Sequence, residues 1–240
     1  MFVKLALLQS FLLSFSLIST ARAADECVVL LHGLFRTENS MNRMEESLAA
    51  VDRVENVAYE STKQPVDVLA EQAIRKGLQE CGDAPVIHFV THSMGGILFR
   101  QYMEHHDIDR LGRVVMLGPP NQGSEVIDRY ADWPGFEWFS GPAGLQLGTG
   151  AASVPRALGP ADFDLGIIAG NRTLNPILSQ SLPGKDDGKV SVDSTRVEGM
   201  DDHLEMPVNH VFMMRDNDVI EQVLFYLEHG FFDRSAGEPP

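Results

Sequence analysis

Positive charge is scarce in this sequence: 19 Lys and Arg stand against 34 Asp and Glu, a formal charge of −15. A chain so acidic is a poor partner for nucleic acid or for anionic membrane surfaces, because binding those relies on neutralising phosphates with Lys and Arg. Solubility is the simpler explanation of the excess. Cysteine is nearly absent too, with Cys27 and Cys81 alone. The even count permits one disulfide in an oxidising compartment, and two buried thiols are the alternative. The chain lacks repeats and linkers that would divide it. Its apolar stretch from Leu5 to Ile18 has no stop-transfer flank and falls short of the roughly 20 residues that span a bilayer.

That stretch has another meaning. Lys4 supplies a positive start, and Ala21-Arg22-Ala23 gives a small-x-small site, the layout of a secretory signal cleaved after Ala23. Export to the periplasm or medium is therefore expected, with no stable membrane insertion after cleavage. Residues 24–240 remain as one domain's worth of chain, enough to bury a core. Without Lys4 and Arg22 they carry 17 basic against 34 acidic side chains, near −17.

Short apolar runs alternate with helical periodicity along this segment, which predicts an α/β architecture: a mostly parallel sheet with helices on both faces. Strands are expected at Cys27–Leu31, Val54–Tyr59, Val86–Thr91, Val114–Leu117, Leu165–Ala169 and Leu204–Val208. Asn39 is placed to cap a helix marked by Met41, Met44, Leu48 and Val51. A second helix carries Ala70, Ile74, Leu78 and Cys81 and is ended by Gly82; a third runs from Met94 to about His105. Ile220, Val223, Leu224 and Leu227 mark a closing helix. Between about Pro119 and Asp162 the alternation gives way to a cap- or lid-like insertion rich in Gly, Pro and aromatics.

The sharpest local signal is Thr91-His92-Ser93-Met94-Gly95-Gly96, where a strand stops and a helix starts. A serine on such a strained turn presents its hydroxyl above the sheet, and close backbone approach demands small neighbours. Gly95 meets that demand; two residues before Ser93 the usual glycine is replaced by Thr91. A serine that merely caps the helix is the plainer alternative. His32-Gly33-Leu34 follows the first strand and so reaches the same sheet end, where the amides of Leu34 and Met94 are candidate donors to a developing oxyanion. A serine nucleophile needs a base, and the base an acid. In the order Ser, Asp, His, the candidates are Asp187, before Gly188, and His210, after the last strand.

Asp186 competes for the acid role and His203 for the base, although His203 is expected before the last strand, at the wrong edge. His88 reads as a core residue; His105 and His106 end a helix, and His92 is expected to point away from Ser93. Asp201, Asp202 and His203 have the types of a metal site, but an acidic surface loop is the preferred reading and no metal is assigned.

Taken together, Leu31-His32-Gly33-Leu34, Thr91-His92-Ser93-Met94-Gly95-Gly96, Asn121-Gln122-Gly123-Ser124, Asp187-Gly188-Lys189-Val190 and Asn209-His210 resemble the compact bacterial lipases and esterases of the α/β-hydrolase superfamily. The resemblance covers essentially residues 24–240. It implies the α/β-hydrolase fold, a Ser93–Asp187–His210 triad with Leu34 and Met94 as oxyanion donors, hydrolysis of a small-molecule acyl ester or lipid, and no cofactor. An acyltransferase or amidase would use the same groups, and a non-catalytic lipid- or partner-binding protein on this scaffold is the reading from outside enzymology. Substrate choice is expected in the insertion, where Trp133, Phe136, Trp138 and Phe139, with Phe35 on the facing loop, form either an acyl-binding surface or the insertion's own core. The family's strand arrangement also brings Cys27 and Cys81 together below the sheet, implying a disulfide there.

Overall fold

The computed structural model describes residues 26–174 and 176–235, so the expected signal segment lies outside the described residues. The chain opens with β1 (Cys27–Leu31), then a 3-10 turn at Glu38–Met41, α1 (Asn42–Leu48), β2 (Arg53–Val57), α2 (Val66–Glu80), β3 (Ile87–His92) and α3 (Met94–Met103). It continues with β4 (Leu111–Leu117), α4 (Glu125–Ala131), α5 (Phe136–Leu145), α6 (Val154–Ala157), β5 (Leu165–Gly170), α7 (Pro176–Ser179), β6 (Asp202–Met206) and α8 (Asn217–His229). The strands form one sheet in the order β2-β1-β3-β4-β5-β6, every pair parallel.

Parallel strands need crossovers, and the crossovers cover both faces; this is why β1 and β5 read as unbroken apolar runs and why β1, β3 and β5 are buried along their length, His88, Thr91 and His92 of β3 included. Val29, Leu31, Phe89, Met116 and Ile167 pack on one face beneath α2 and α3. Val28, Leu30, Val90, Val115, Leu117 and Ile168 meet Met44 and Leu48 of α1, and Val219, Val223 and Leu227 of α8, on the other. The period-two alternation of side chains sorts each strand between these two cores. In register, Leu31 lies beside Thr91, and Thr91 beside Met116. The strand ends carrying His32, Ser93 and Gly118 are thereby aligned at one edge.

Cys27 and Cys81 are joined, Cα to Cα 5.8 Å, at the opposite edge of the sheet, as the family's strand order implies. Asn39, however, sits within the 3-10 turn instead of capping α1, which starts three residues later. Val51 falls past the helix end and is 48% exposed, because the chain must already turn there to enter β2 at Arg53. β6 spans Asp202–Met206 instead of Leu204–Val208, so His203 lies inside the strand. It remains near the strand's start, remote from the edge that holds Ser93. The insertion folds into α4, α5 and α6, with α5 broken at Gly141 (φ 67°) just before Pro142.

Candidate active site

Ser93 is one of two described non-glycine residues with positive φ, at 55°. Its amide donates to the Leu117 carbonyl (2.9 Å) and its carbonyl accepts from Gly96 N–H (3.0 Å), which holds a conformation that side chains otherwise avoid. Gly95 is obligatory in this turn: a Cβ there would stand 2.6 Å from the Leu31 carbonyl oxygen and 2.9 Å from that of His32. The departure at Thr91 is accommodated by Gly96, where a Cβ would approach Thr91 Oγ1 at 3.2 Å. Space relinquished on the strand side is recovered on the helix side.

Three side chains meet above this edge. His210 Nε2 lies 3.0 Å from Ser93 Oγ, and His210 Nδ1 lies 2.7 Å from Asp187 Oδ2. Asp187 Oδ1 accepts from the amides of Lys189 (2.9 Å) and Val190 (2.8 Å), so both carboxylate oxygens are oriented. The backbone ties the same pair, His210 N–H donating to the Asp187 carbonyl at 3.0 Å. A carboxylate only accepts; Nδ1 therefore carries the proton toward Asp187 and leaves Nε2 free to accept the serine O–H. Asp186 faces elsewhere, accepting from Gly188 N–H (2.7 Å) and from the Ser179 hydroxyl.

The proposed oxyanion donors flank the serine. Met94 is the first residue of α3, so its N–H has no intrahelical acceptor. The Gly33–Leu34 backbone runs against the serine: a Cβ on Gly33 would lie 2.9 Å from Ser93 Cβ. Phe35, next in the loop, is the second positive-φ residue, at 60°. Its ring stacks on Phe139 at 4.6 Å, linking the loop to α5. With Trp138 the two line a cavity of about 550 Å³ that also takes in Arg36, Tyr59 and Glu60; Ser93 and His210 are not among its walls. Trp133 and Phe136 do not line it, and Trp133 packs edge-on against Tyr130 instead. Trp133, Trp138 and Phe139 are exposed, Trp138 by 90%, so they are not the insertion's core. That role falls to Ala143 and Leu147.

His92 differs from expectation. Although it is not a rival base, it does not turn away from the site: its ring packs on that of His210 at 4.8 Å, and its Nε2 lies 2.9 Å from the His210 carbonyl oxygen. The positive φ at Ser93 lifts the serine above the strand end while His92 stays beneath, where the loop after β6 passes. Since a carbonyl only accepts, His92 is protonated at Nε2 and neutral. Burial holds its imidazole well below the ordinary value, and the neighbouring His210, Lys189 and Arg36 push the same way. Gly118, which the sequence pattern did not single out, directly follows β4 at φ 54°; a Cβ there would come within 3.0 Å of Asp187 Oδ2 and 3.2 Å of His210 Nδ1. The only signal available was its place at a strand end before Pro119-Pro120.

Asn121-Gln122-Gly123-Ser124 is a fastening. Buried Asn121 donates to the Thr195 carbonyl (2.7 Å) and accepts from Arg100 (3.1 Å), while Ser124 Oγ donates to the Lys189 carbonyl (2.8 Å). Arg100 also reaches the Gly159 carbonyl (2.9 Å), and burial lowers its pKa to about 10. Asp201, Asp202 and His203 do not converge. Asp201 accepts from Leu165 N–H, Asp202 pairs with Arg234 at 2.5 Å, and His203 Nε2 lies 2.8 Å from Thr195 Oγ1.

No protein-family profile matches the sequence, and no curated protein does either. Solved structures do match. The mature form of a lipase from Bacillus licheniformis superposes with a TM-score of 0.65 at 20% identity, over 85% of this chain and 93% of that one. The chain has the α/β-hydrolase fold. Within that fold, a metagenomic carboxyl esterase aligns at TM-score 0.65 and 17% identity, over 80% of this chain and 66% of its own. An esterase from Exiguobacterium antarcticum aligns at 0.58 and 15%, over 85% and 92%. Among the described residues no helix is long and apolar enough to cross a membrane.

Proposed function

We propose that this chain is an exported serine hydrolase that cleaves carboxylic esters through an acyl-enzyme on Ser93. The observation that carries the reading is the hydrogen-bonded series Ser93–His210–Asp187, at 3.0 and 2.7 Å, built on a serine held at positive φ. His210 takes the serine proton as Oγ attacks the acyl carbon, then returns it to the leaving alcohol. Asp187 holds the imidazole's tautomer and stabilises the imidazolium that forms. The amides of Leu34 and Met94 receive the negative oxygen, a contribution of about 10²–10³ in rate for each donor in comparable sites. Water then attacks the acyl-enzyme with His210 again as base. Every group required is a protein group, so the reaction as written uses no cofactor.

The substrate class is a small-molecule acyl ester or lipid, with Phe35, Trp138 and Phe139 offering apolar surface beside the oxyanion loop. Export agrees with the leader-like first 23 residues and with the buried Cys27–Cys81 bridge, which persists in oxidising compartments. An acyltransferase would differ only in using an alcohol in place of water.

The test is hydrolysis of p-nitrophenyl esters from acetate to palmitate by residues 24–240, beside Ser93→Ala and after phosphonate treatment. Loss of activity in both controls is expected, with one adduct on Ser93. Absence of both turnover and adduct would refute the mechanism in favour of a binding protein on the same scaffold.

A further inference from the structure

The Leu34 N–H, one of the two proposed oxyanion donors, belongs to the same peptide unit as the Gly33 carbonyl. That unit is planar and trans, so its carbonyl and its N–H point in opposite directions, and whatever fixes the one aims the other. Two donors fix the carbonyl: the Arg36 N–H at 3.3 Å and the His32 ring, whose Nδ1 is 3.0 Å away. Among the described residues no acceptor takes the Leu34 N–H. The unit lies against the nucleophile, since a Cβ on Gly33 would stand 2.9 Å from that of Ser93.

The His32 ring is itself held by a residue from the neighbouring strand. Register sets Leu31 of β1 beside Val57 of β2, so His32 and Tyr59 leave the sheet edge as neighbours. Their rings stack at 3.9 Å with an interplanar angle of 9°, and the Tyr59 hydroxyl donates to the His32 carbonyl. The same carbonyl would stand 2.9 Å from a Cβ on Gly95, so the nucleophile turn confines it as well. Burial raises the Tyr59 pKa, which keeps the hydroxyl a donor. Because a carbonyl only accepts, the His32 proton sits on Nδ1. Burial lowers the pKa of this ring, the bond to Gly33 partly opposing. Its Nε2 is buried and, among the described residues, meets no partner. An apolar ring would stack on Tyr59 without leaving a nitrogen unmet, so the Nδ1 donor is what this position gains from histidine.

We propose that His32 and Tyr59 are positioning residues of the oxyanion hole: together they fix the Gly33–Leu34 peptide so that the Leu34 N–H faces the carbonyl oxygen of an ester attacked by Ser93. This rests on the ester-hydrolase reading above. Neither side chain touches the reacting atoms. Tyr59 holds the carbonyl and ring of His32, His32 holds the carbonyl of Gly33, and the rigid peptide passes that constraint to the donor. A donor aimed before the reaction needs no rearrangement as charge develops on the oxygen, which is where such groups contribute most.

The experiment measures kcat and KM on 4-nitrophenyl butyrate and on its thiono analogue, in which sulfur replaces the carbonyl oxygen. Sulfur is larger and a weaker hydrogen-bond acceptor, so a hole set for oxygen favours the oxo ester and a misaligned one favours it less. His32→Phe retains the stack and removes the Nδ1 donor; Tyr59→Phe retains the stack and removes the hydroxyl. Each is expected to lower kcat on the oxo ester by about tenfold, the scale of a shift of a few tenths of an ångström, with KM within about twofold and a smaller loss on the thiono ester. His32→Asn, whose amide nitrogen stands near the place of Nδ1, should recover part of the loss. Tyr59→Phe removes a single oxygen and decides the matter if His32→Phe does not fold. Equal losses on both esters overturn the proposal, since the pair would then support the fold or the triad. Wild-type kcat on the oxo ester in either folded Phe variant also overturns it while leaving the hydrolase intact. No turnover of any ester by the unaltered protein, with no phosphonate adduct on Ser93, overturns both readings.

Discussion

Gly118 follows β4 at φ 54°, directly beneath the Asp187–His210 pair, and Gly118→Ala tests whether that pair is set by contact from below. The added methyl would lie 3.0 Å from Asp187 Oδ2, 3.0 Å from Met213 Sδ and 3.2 Å from His210 Nδ1, each a few tenths of an ångström too close. Met213 can swing its sulfur aside. Asp187 cannot easily do so, because its other oxygen is pinned by the Lys189 and Val190 amides, so the displacement passes into the carboxylate–imidazole contact. Misplacement by about 1 Å costs roughly 10²-fold in rate, and a shift of a few tenths should cost about tenfold in kcat. The left-handed backbone adds about 1 kcal/mol of destabilisation, about 2–4 °C in Tm for a chain this long. Gly184→Ala separates the two effects, for Gly184 has a similar φ of 70° and nothing within 4 Å of an added Cβ. Steady-state kinetics on p-nitrophenyl butyrate and thermal melts should show both variants losing similar Tm and only Gly118→Ala losing kcat, with KM little changed. Wild-type kcat in Gly118→Ala, or the same kinetic loss in Gly184→Ala, would refute the reasoning.

Asp187→Asn should lower kcat by about 10⁴ through the wrong imidazole tautomer. Asp186→Asn should cost only about 1 kcal/mol of stability from weakened contacts to Gly188 and Ser179, and a reversed ranking would reassign the acid. Breaking the Cys27–Cys81 bridge, which spans a sequence separation of 54, should cost about 4 kcal/mol on the chain-entropy account; urea denaturation of a Cys27→Ser/Cys81→Ser protein measures it, and a loss below about 1 kcal/mol would contradict that account. Acid should destabilise the fold through His203, whose pKa burial lowers from 6.5 to about 4, Arg196 adding to the effect. The unfolded chain binds this proton first, so the stabilisation is full above about pH 6.5 and drains as pH falls toward about 4. Urea midpoints across that window should fall less steeply in His203→Gln, and identical slopes would exclude the residue.

The strands and their alternation with helices were legible because burial on both sheet faces enriches them in apolar residues, and β1 was readable to the residue. The nucleophile turn was legible because its requirement for small neighbours is local, and Gly95 satisfies it within two positions of Ser93. The bounds of β6 and the end of α1 were not, since strand pairing and the entry into β2 decide them against the local pattern. The contact His92 makes with His210, and the place of Gly118, were hidden for another reason. Their importance arises from a loop some 90 to 120 residues further along the chain that comes to rest against them, and no spacing in the sequence announces that contact. The exposure of Trp133, Trp138 and Phe139 was similarly hidden, because an aromatic cluster reads the same whether it packs inward or faces water.

The division of the proposed triad along the chain gives the fold a built-in proof of completion. Ser93 and both proposed oxyanion donors belong to the segment running from β1 to α3, which carries its own covalent bridge, whereas Asp187 and His210 arrive on the loops after β5 and β6. A chain stalled with four strands assembled would hold a correctly bent serine and have nothing to deprotonate it. On the proposed mechanism, the return of ester turnover during refolding would be a clock for the docking of the last two strands, and comparing it with closure of the disulfide would time the two halves of the molecule separately.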